Sequence, residues 1–356
     1  MEEKVKKVTR RKVKSPTGVT LADIGREAGV SISIVSRVLK NRKDRIPEVT
    51  REKVREAAER LGYRPNLLIQ GVQTGRSMNI GVIIPPSDHH STQIIQGIQE
   101  VLRKAGYCMI LTWSPRDTNV TGLEMRRKIV HDLLDRRIDG IIKRPTLTGT
   151  SKIYYKEVLK RKIPLVTVGR SLPEVACDFS GTDNELGSRL AVRHLLESGH
   201  RHIVHLTEQS DFEPEQLRRK GFDEECASTP GVTFGRVEVA ENDRDAAQQA
   251  VEKILAAPNR PTAIFLGSDH LIHGCRAAAK QLNLQIPTDI SVIGFGNLPE
   301  SEFSEPALST IDQDPMEIGR IAARMMLRRI ENPEQAPEIH LTQPTLIQRA
   351  SVATAP

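Results

Sequence analysis

The chain has 356 residues, with 52 Lys and Arg against 45 Asp and Glu, a formal net charge of +7. Hydrophobic residues make up 38 %; with the 24 glycines this is a globular composition, which excludes a mostly disordered chain. No uncharged apolar run reaches the roughly 18 residues of a membrane span, and the opening MEEKVKKVTRRKVKSPTG is basic without an apolar stretch, so it is not a secretory signal. A cytoplasmic protein of two or three domains is expected.

The charge is unevenly placed. Residues 1–78 carry 19 basic and 9 acidic side chains, a net of +10, and residues 79–356 carry a net of −3. Concentrated positive charge points to a polyanion, nucleic acid first and an anionic membrane second. Tyr63 is the only aromatic of the basic part, which argues against single-strand binding by base stacking. The four cysteines, Cys108, Cys177, Cys226 and Cys275, form no CxxC pair and read as small buried apolar residues.

Residues 1–18 read as a basic disordered tail. Residues 19–63 read as three short helices. Thr20 can cap the first, with Asp23 in the acidic position of a capping box. Leu21, Ile24 and Ala28 form its apolar face, and Gly29 stops it. Ser31 starts a second helix with Ile34, Val35 and Val38 available for packing. A third spans Thr50 to Leu61, with Val54, Ala57, Ala58 and Leu61 inward. Two short helices meeting at a glycine, braced by a third, make a helix-turn-helix pattern. Residues 64–78 form a linker. From residue 79 apolar strands alternate with amphipathic helices. Strands are expected at 80–84, 107–112, 140–143, 164–168, 203–207, 263–266 and 291–295. Helices are expected near 92–105, 122–136, 184–198, 213–228, 243–257, 269–283 and 315–331. That α/β alternation implies parallel sheets covered on both faces. Its length favours two Rossmann-like lobes with a cleft between them, an N-lobe of about 79–176 and 309–334 and a C-lobe of about 177–308 and 335–356.

The segments VTLADIGREAGVSISIVSRVLKN (19–41), VTREKVREAAERLGYRPN (49–66) and IGVIIP (80–85) resemble the lactose-repressor/galactose-repressor family of bacterial transcription regulators. The likeness continues through DGII (139–142), GHRHIVHL (199–206), RRKGF (218–222), RPTAIFLGSD (260–269), IPTDISVIGF (286–295) and PALSTIDQD (306–314). The resemblance implies a two-fold dimer on double-stranded, pseudo-palindromic operator DNA. A recognition helix would enter the major groove and a hinge helix the minor groove. The 79–356 core would be of periplasmic-binding-protein type and would take a small sugar-like effector. Regulation, in the sense of repression, is implied, and no enzymatic activity or cofactor.

By that resemblance Ile32 and Ser33 choose the operator. Ile32 offers only apolar contact, as to a thymine methyl, and Ser33 a hydroxyl. Arg37 can read guanine or bind phosphate, and the resemblance favours a base. Thr20, Ser31 and Ser36 suit phosphate contacts, and capping is compatible with that role at Thr20 and Ser31. Arg45 joins them from the 40–48 loop. Asn66 matches the start of the hinge, where Ile69 stands in place of the family's alanine and Val72 in place of its wedging leucine. Gly71 lowers helix propensity there, so the hinge is expected to fold only on DNA. The basic residues of 4–14 read as a nonspecific phosphate tether or a solubilising tail. Ile34 and Lys40 replace the family's threonine and asparagine.

The effector residues implied are Ser87, Asp88, His90, Arg144, Arg170, Arg218, Asp269 and Asn297. Arg218, three residues before Gly221, matches the family's ligand-contacting arginine. Two frequent carboxylates are missing, at Gly169 and Gly296, while Lys143, Arg144 and Arg170 lie near cleft-facing strand ends. An anionic sugar acid or sugar phosphate held by arginine forks is therefore expected; the alternative is that these cations are solvated or paired with Asp and Glu. His200, His202 and His205 alternate along a strand and so do not share a metal. The competing reading is a binding protein or enzyme with an incidental basic head. The tail QRASVATAP carries no heptad, so a dimer is expected rather than a tetramer.

Overall fold

The computed structural model describes residues 18–40, 45–64, 75–113, 120–145, 152–172, 175–240 and 243–356. The chain divides into two compact units, residues 1–77 and 78–356.

In the first unit α1 spans Leu21–Ala28, α2 Ile32–Leu39 and α3 Glu48–Arg60. Asp23 N–H donates to the Thr20 hydroxyl at 3.4 Å, and the Asp23 carboxylate accepts the Thr20 N–H at 2.9 Å. This is a complete capping box. Gly29 ends α1 at φ 68°, a conformation glycine adopts without steric cost. The chain then turns so tightly that a side chain at Gly25 would stand 2.8 Å from the Val30 carbonyl oxygen. Ser31 caps α2 by accepting the Ile34 N–H at 3.4 Å. The third helix starts at Glu48, two residues earlier than expected, because the Pro47 carbonyl accepts the Thr50 and Arg51 N–H groups. Ile24, Val35, Val38, Val54, Ala57 and Ala58 form the core of this unit. Replacing Thr20 by alanine should lower the stability of the isolated 18–64 segment by about 1 kcal/mol, read by thermal unfolding.

The second unit runs β1 Asn79–Ile83, α4 His89–Lys104, β2 Cys108–Thr112, α5 Val120–Asp135, β3 Gly140–Lys143, α6 Lys152–Lys160, β4 Leu165–Val168 and β5 Asp178–Thr182. It continues with α7 Asn184–Glu197, β6 His202–Glu208, α8 Glu213–Ala227, β7 Thr233–Val239, α9 Arg244–Leu255 and β8 Ala263–Leu266. A short 3-10 turn, Asp269–Leu271, leads into α10 Ile272–Gln281, then β9 Ser291–Phe295, α11 Pro299–Phe303 and β10 Ser309–Asp312. The chain closes with α12 Pro315–Glu331, β11 Ile339–Thr342 and β12 Thr345–Ile347.

Two six-stranded sheets result, ordered β11-β5-β4-β3-β1-β2 and β12-β10-β9-β8-β6-β7. Every pairing is parallel except β12 with β10. The inner strands β3, β4, β8 and β9 are short, fully buried, mainly apolar runs, as strands covered on both faces require. Helices α4 and α12 cover one face of the first sheet, over Ile80, Val82, Val166 and Val168.

The expected lobe boundaries need correction. Strand β5 lies in the first sheet, not the second, and so does β11. Strand β10 lies in the second sheet, not the first. The chain therefore passes between sheets after Thr182, after Asp312 and between Thr342 and Thr345. The segment DFSGT reads poorly as a strand, since its inward positions are Asp, Ser and Thr. Asp178 is fully buried there because Arg329 of α12 grips both its oxygens, at 2.7 and 2.9 Å. The three crossings are stitched at one point: the Thr182 and Thr342 hydroxyls donate to the Gln313 carbonyl at 3.4 and 3.2 Å.

Cys226 and Cys275 are buried as expected, but Cys177 is only half-buried and Cys108 is exposed, because β2 is an edge strand of the first sheet. His200 is a structural residue, its ring nitrogens on the Thr262 hydroxyl at 2.9 Å and the Ala353 carbonyl at 3.1 Å. His205 stacks on Phe265 with ring centres 4.6 Å apart.

Candidate functional site

Two surfaces carry chemistry. The first is the outer face of α2. Its helical period sends Val35 and Val38 into the core and leaves Ile32, Ser33 and Arg37 exposed, with Ser36 half-buried between them. Ile32 is 53 % exposed; a large aliphatic side chain at the open N-terminus of a helix has no packing reason to be there. Ser31 uses its oxygen to cap the helix, which leaves its hydroxyl hydrogen to donate outward. Thr20 differs, because its hydroxyl donates to the Asp23 carboxylate at 2.7 Å. Those hydrogen bonds to Thr20 hold the Asp23 carboxyl below its usual range. Arg45 is exposed at the start of the α3 approach. Asn66, Ile69 and Val72 lie outside the described residues, as does the basic run of 4–14.

The second is a cavity of about 330 Å³ between the two sheets of the second unit. One wall comes from the ends of first-sheet strands and the helices after them: Ser87, Asp88, His90, Arg126, Arg144 and Arg170. The other comes from the second sheet: Glu208, Phe212, Glu215, Arg218, His270 and Phe295. Gln313, at the stitched crossing, also reaches it.

Each polar group is positioned locally. Asp88 caps α4, accepting the Ser91 N–H at 2.7 Å and the Ser87 hydroxyl at 3.0 Å. Arg144 donates to the Ser91 hydroxyl at 2.6 Å and stands 3.7 Å from Asp88. Although burial opposes it, Asp88 stays below the usual carboxylate range because Arg144 and these donors favour its charge. Arg170 lies over the Phe212 ring, 3.0 Å from its centre, and donates to the Pro145 carbonyl at 3.4 Å. Arg218 is 8 % exposed. It donates to Asn184 at 3.0 Å and Glu215 at 2.8 Å, and stacks over Phe295. His90 is pushed down to about 3 by burial first and by the Arg144 charge second, so it is neutral at physiological pH.

Six of the eight expected effector residues line the cavity: Ser87, Asp88, His90, Arg144, Arg170 and Arg218. Two do not. Asp269 is 1 % exposed, and its oxygens accept from the Leu298 N–H and the Ser301 and Thr310 hydroxyls at 3.0, 2.7 and 2.7 Å. It anchors the loop after β9. Asn297 is turned to the Asp312 carboxylate at 3.0 Å and the Arg349 guanidinium at 2.8 Å. Lys143 is also away from the cavity, 3 % exposed and 4.9 Å from the Tyr155 ring centre. Burial pushes its amine down to about 8. Sequence reasoning missed Arg126, Glu208, Glu215 and Gln313. Only Glu215, one helical turn before Arg218, carried a usable spacing signal.

Residues 20–66 match the family model described as bacterial regulatory proteins, lacI family, and residues 192–352 match the periplasmic binding protein-like domain. The chain is 31 % identical to the HTH-type transcriptional repressor PurR of Pectobacterium carotovorum subsp. carotovorum, over 95 % of this chain and 98 % of that protein. Its fold is similar to the lac repressor dimer bound to operator and the anti-inducer ONPF, with a TM-score of 0.78 and 26 % identity over 94 % of this chain and 99 % of that one. It is also similar to a LacI family transcriptional regulator of Enterococcus faecalis with bound ribose, with a TM-score of 0.69 and 28 % identity over 78 % of this chain and all of the other. Among the described residues no helix is long and apolar enough to cross a membrane, and the relatives are regulators rather than enzymes. A capped helix-turn-helix head, a two-sheet core with a polar cleft and likeness along nearly the whole chain converge: this protein belongs to the lacI family of bacterial regulatory proteins, as a DNA-binding regulator with a periplasmic-binding-protein-like core.

Proposed function

We propose that the protein is a dimeric cytoplasmic repressor, working at the nucleoid, whose grip on a pseudo-palindromic operator is set by a small anionic sugar derivative in the core cavity. The observation that carries the DNA half is the row Ile32, Ser33 and Arg37, exposed on one face at the capped start of α2. That is where recognition helices meet base edges. Ile32 supplies an apolar contact, Arg37 a bidentate fork, and Ser31, Ser36, Thr20 and Arg45 phosphate contacts. Asn66, Ile69 and Val72 supply the minor-groove contact. Thr20 contributes less than the serines, since the Asp23 carboxylate holds both its hydroxyl hydrogen and its N–H.

The effector half is supported by four arginines around one cavity, two of them fixed over phenylalanine rings. An effector acts by favouring one arrangement of the lobes over another. The dimer contact is placed on the N-lobes, near α4 and α12. The test begins with DNA fragments selected by the purified full chain. Arg37→Ala should weaken binding to the selected site by about 10- to 100-fold. Its binding to random duplex should fall far less. Half-sites should recur about 34 Å apart or at a related spacing. Equal losses on both DNAs would make Arg37 a phosphate contact, and an unchanged affinity would remove α2 as the reading helix.

A further inference from the structure

The cavity contains buried polar atoms that the protein itself leaves without hydrogen bonds, and they are not distributed at random. On the first-sheet wall these include the Arg144 Nε and both ring nitrogens of His90. On the second-sheet wall it is the Glu215 Oε2. All three residues line the cavity. A buried polar atom without a partner is costly, so native structures keep few of them and their positions point to what completes the site.

The atoms have opposite characters. Arg144 Nε can only donate, and it belongs to a wall with Arg126, Arg144 and Arg170 against the single carboxylate of Asp88. Glu215 Oε2 can only accept, on a wall with Glu208 and Glu215 against Arg218. The Glu215 charge is already met by Arg218 at 2.8 Å, so its open oxygen requires a donor but not a cation. Neutral His90 offers one donor and one acceptor. Summed over the described residues lining the cavity, four arginines face three carboxylates. Among these described lining residues positive charge exceeds negative by one, which a ligand of charge about −1 neutralises on burial.

We infer that the effector is a monoanionic polyhydroxy acid, bound in one orientation: carboxylate on the first-sheet wall at Arg144, hydroxyl donors on the second-sheet wall at Glu215, with His90 bridging. A sugar phosphate carries more negative charge than the cavity balances, and a neutral sugar leaves the excess positive charge without a counter-charge. The inference rests on the anionic-effector reading above and narrows it. Because the two ends are held by different sheets, the ligand binds strongly only when both walls reach it, which favours the arrangement in which the walls are close.

Calorimetry on the full chain tests it with a ligand series that does not depend on any variant folding. D-gluconate, D-galactonate and D-glucuronate keep both ends. The matching amides lose the charge, hexanoate loses the hydroxyls, and glucose 6-phosphate raises the charge. At least one polyhydroxy acid should bind about 10-fold or more tighter than its amide, than hexanoate and than the phosphate, the scale of one hydrogen bond to a charged group. Arg144→Gln should erase the acid-over-amide preference, and Glu215→Gln the acid-over-hexanoate preference, in chains whose unfolding midpoint shows them folded. Tightest binding of glucose 6-phosphate overturns this inference and leaves the anionic reading standing. Tightest binding of a neutral sugar or amide overturns both. Binding of none of these acids, or an acid whose preferences survive both variants, overturns the inference.

Discussion

Replacing Gly319 by valine should collapse the first-sheet half of the core, with a loss of more than about 3 kcal/mol. Gly319 sits in α12, and a Cβ there would stand 2.1 Å from the Ile94 carbonyl oxygen of α4. Gly97 of α4 returns the relation, its Cβ position lying 2.1 Å from the Met316 carbonyl oxygen. The two helices cross backbone against backbone, with no side chain between them. The obstacle is main chain, so it cannot swing aside as a flexible side chain would. The helices must part, and that opens the Ile94, Ile98, Ile318 and Ala322 layer they share. Overpacking a tight core costs about 1–3 kcal/mol even when side chains can adjust, and here they cannot. Trp113 is the only tryptophan and lies directly after β2, so its fluorescence in a urea titration reports this half of the core. Gly235→Ala is the matched control. Its Cβ position meets nothing within 4 Å, and it should change the midpoint by no more than about 0.5 kcal/mol. If Gly319→Val unfolds at the wild-type urea concentration, the close crossing is wrong.

The core should lose stability steeply on mild acidification, and His205 should account for a large share. Burial first, and then the charges of Arg218, Arg219 and Arg236, push His205 down to about 3 from the usual 6.5. Neither ring nitrogen has a hydrogen-bond partner, so nothing in the fold compensates a proton there. The folded state therefore holds fewer protons than the unfolded state between those two values. The stabilisation from the neutral ring is complete above pH 6.5 and is lost as pH falls toward 3. The slope is about 1.4 kcal/mol per pH unit for one proton, so the fall from pH 7.5 to pH 5 costs about 2 kcal/mol. His90 contributes in the same direction, also held down to about 3. His205→Phe keeps an aromatic ring against Phe265 and Phe222 and removes the titration. Urea midpoints at pH 7.5 and pH 5 should then converge by about 2 kcal/mol relative to wild type. Parallel pH dependence in the two proteins would mean that the ring is not confined as described. A ligand bound in the cavity should also offset the acid loss, since one that binds only the folded state stabilises it by mass action.

Much of the head was legible because its signals are local. Thr20 and Asp23 stand three apart, Gly29 follows the last apolar position of α1, and Ser31 precedes a run with helical period. Each statement concerns neighbours in the chain, and each corresponds to a cap or turn in the structure. The apolar strands were legible for a similar reason: β3, β8 and β9 are short runs of Ile, Val, Leu and Phe with breaks at both ends. Strand β5 was not, because Asp178 becomes an inward residue only when Arg329 arrives from 151 positions away. Strands β11 and β12 each pair on only one side at a sheet edge, where half-exposed residues lose the alternation that marks a strand.

The cleft divides in the same way. Arg218 and Arg144 stand beside recognisable strand and helix patterns, and both line the cavity. Asp269 and Asn297 occupy positions suggested by motif spacing, yet their side chains are spent on the protein's own loops. Spacing places a backbone; which way a side chain faces depends on partners such as Ser301, Thr310 and Arg349, brought up from other strands. Arg126 shows the converse, an arginine on a helix surface by sequence that packing carries into the cavity wall.

By itself the sequence determined the charge division, the helix-turn-helix head with the exposed face of its second helix, and the alternating character of the core, because these follow from composition and from contacts within about one helical turn. The tertiary structure alone decided which strands join which sheet, where the chain crosses between them, and which charged groups meet in the cleft. Those outcomes depend on hydrogen bonds and close packing between residues distant in the chain, where burial makes an unmatched polar group costly and so selects one arrangement.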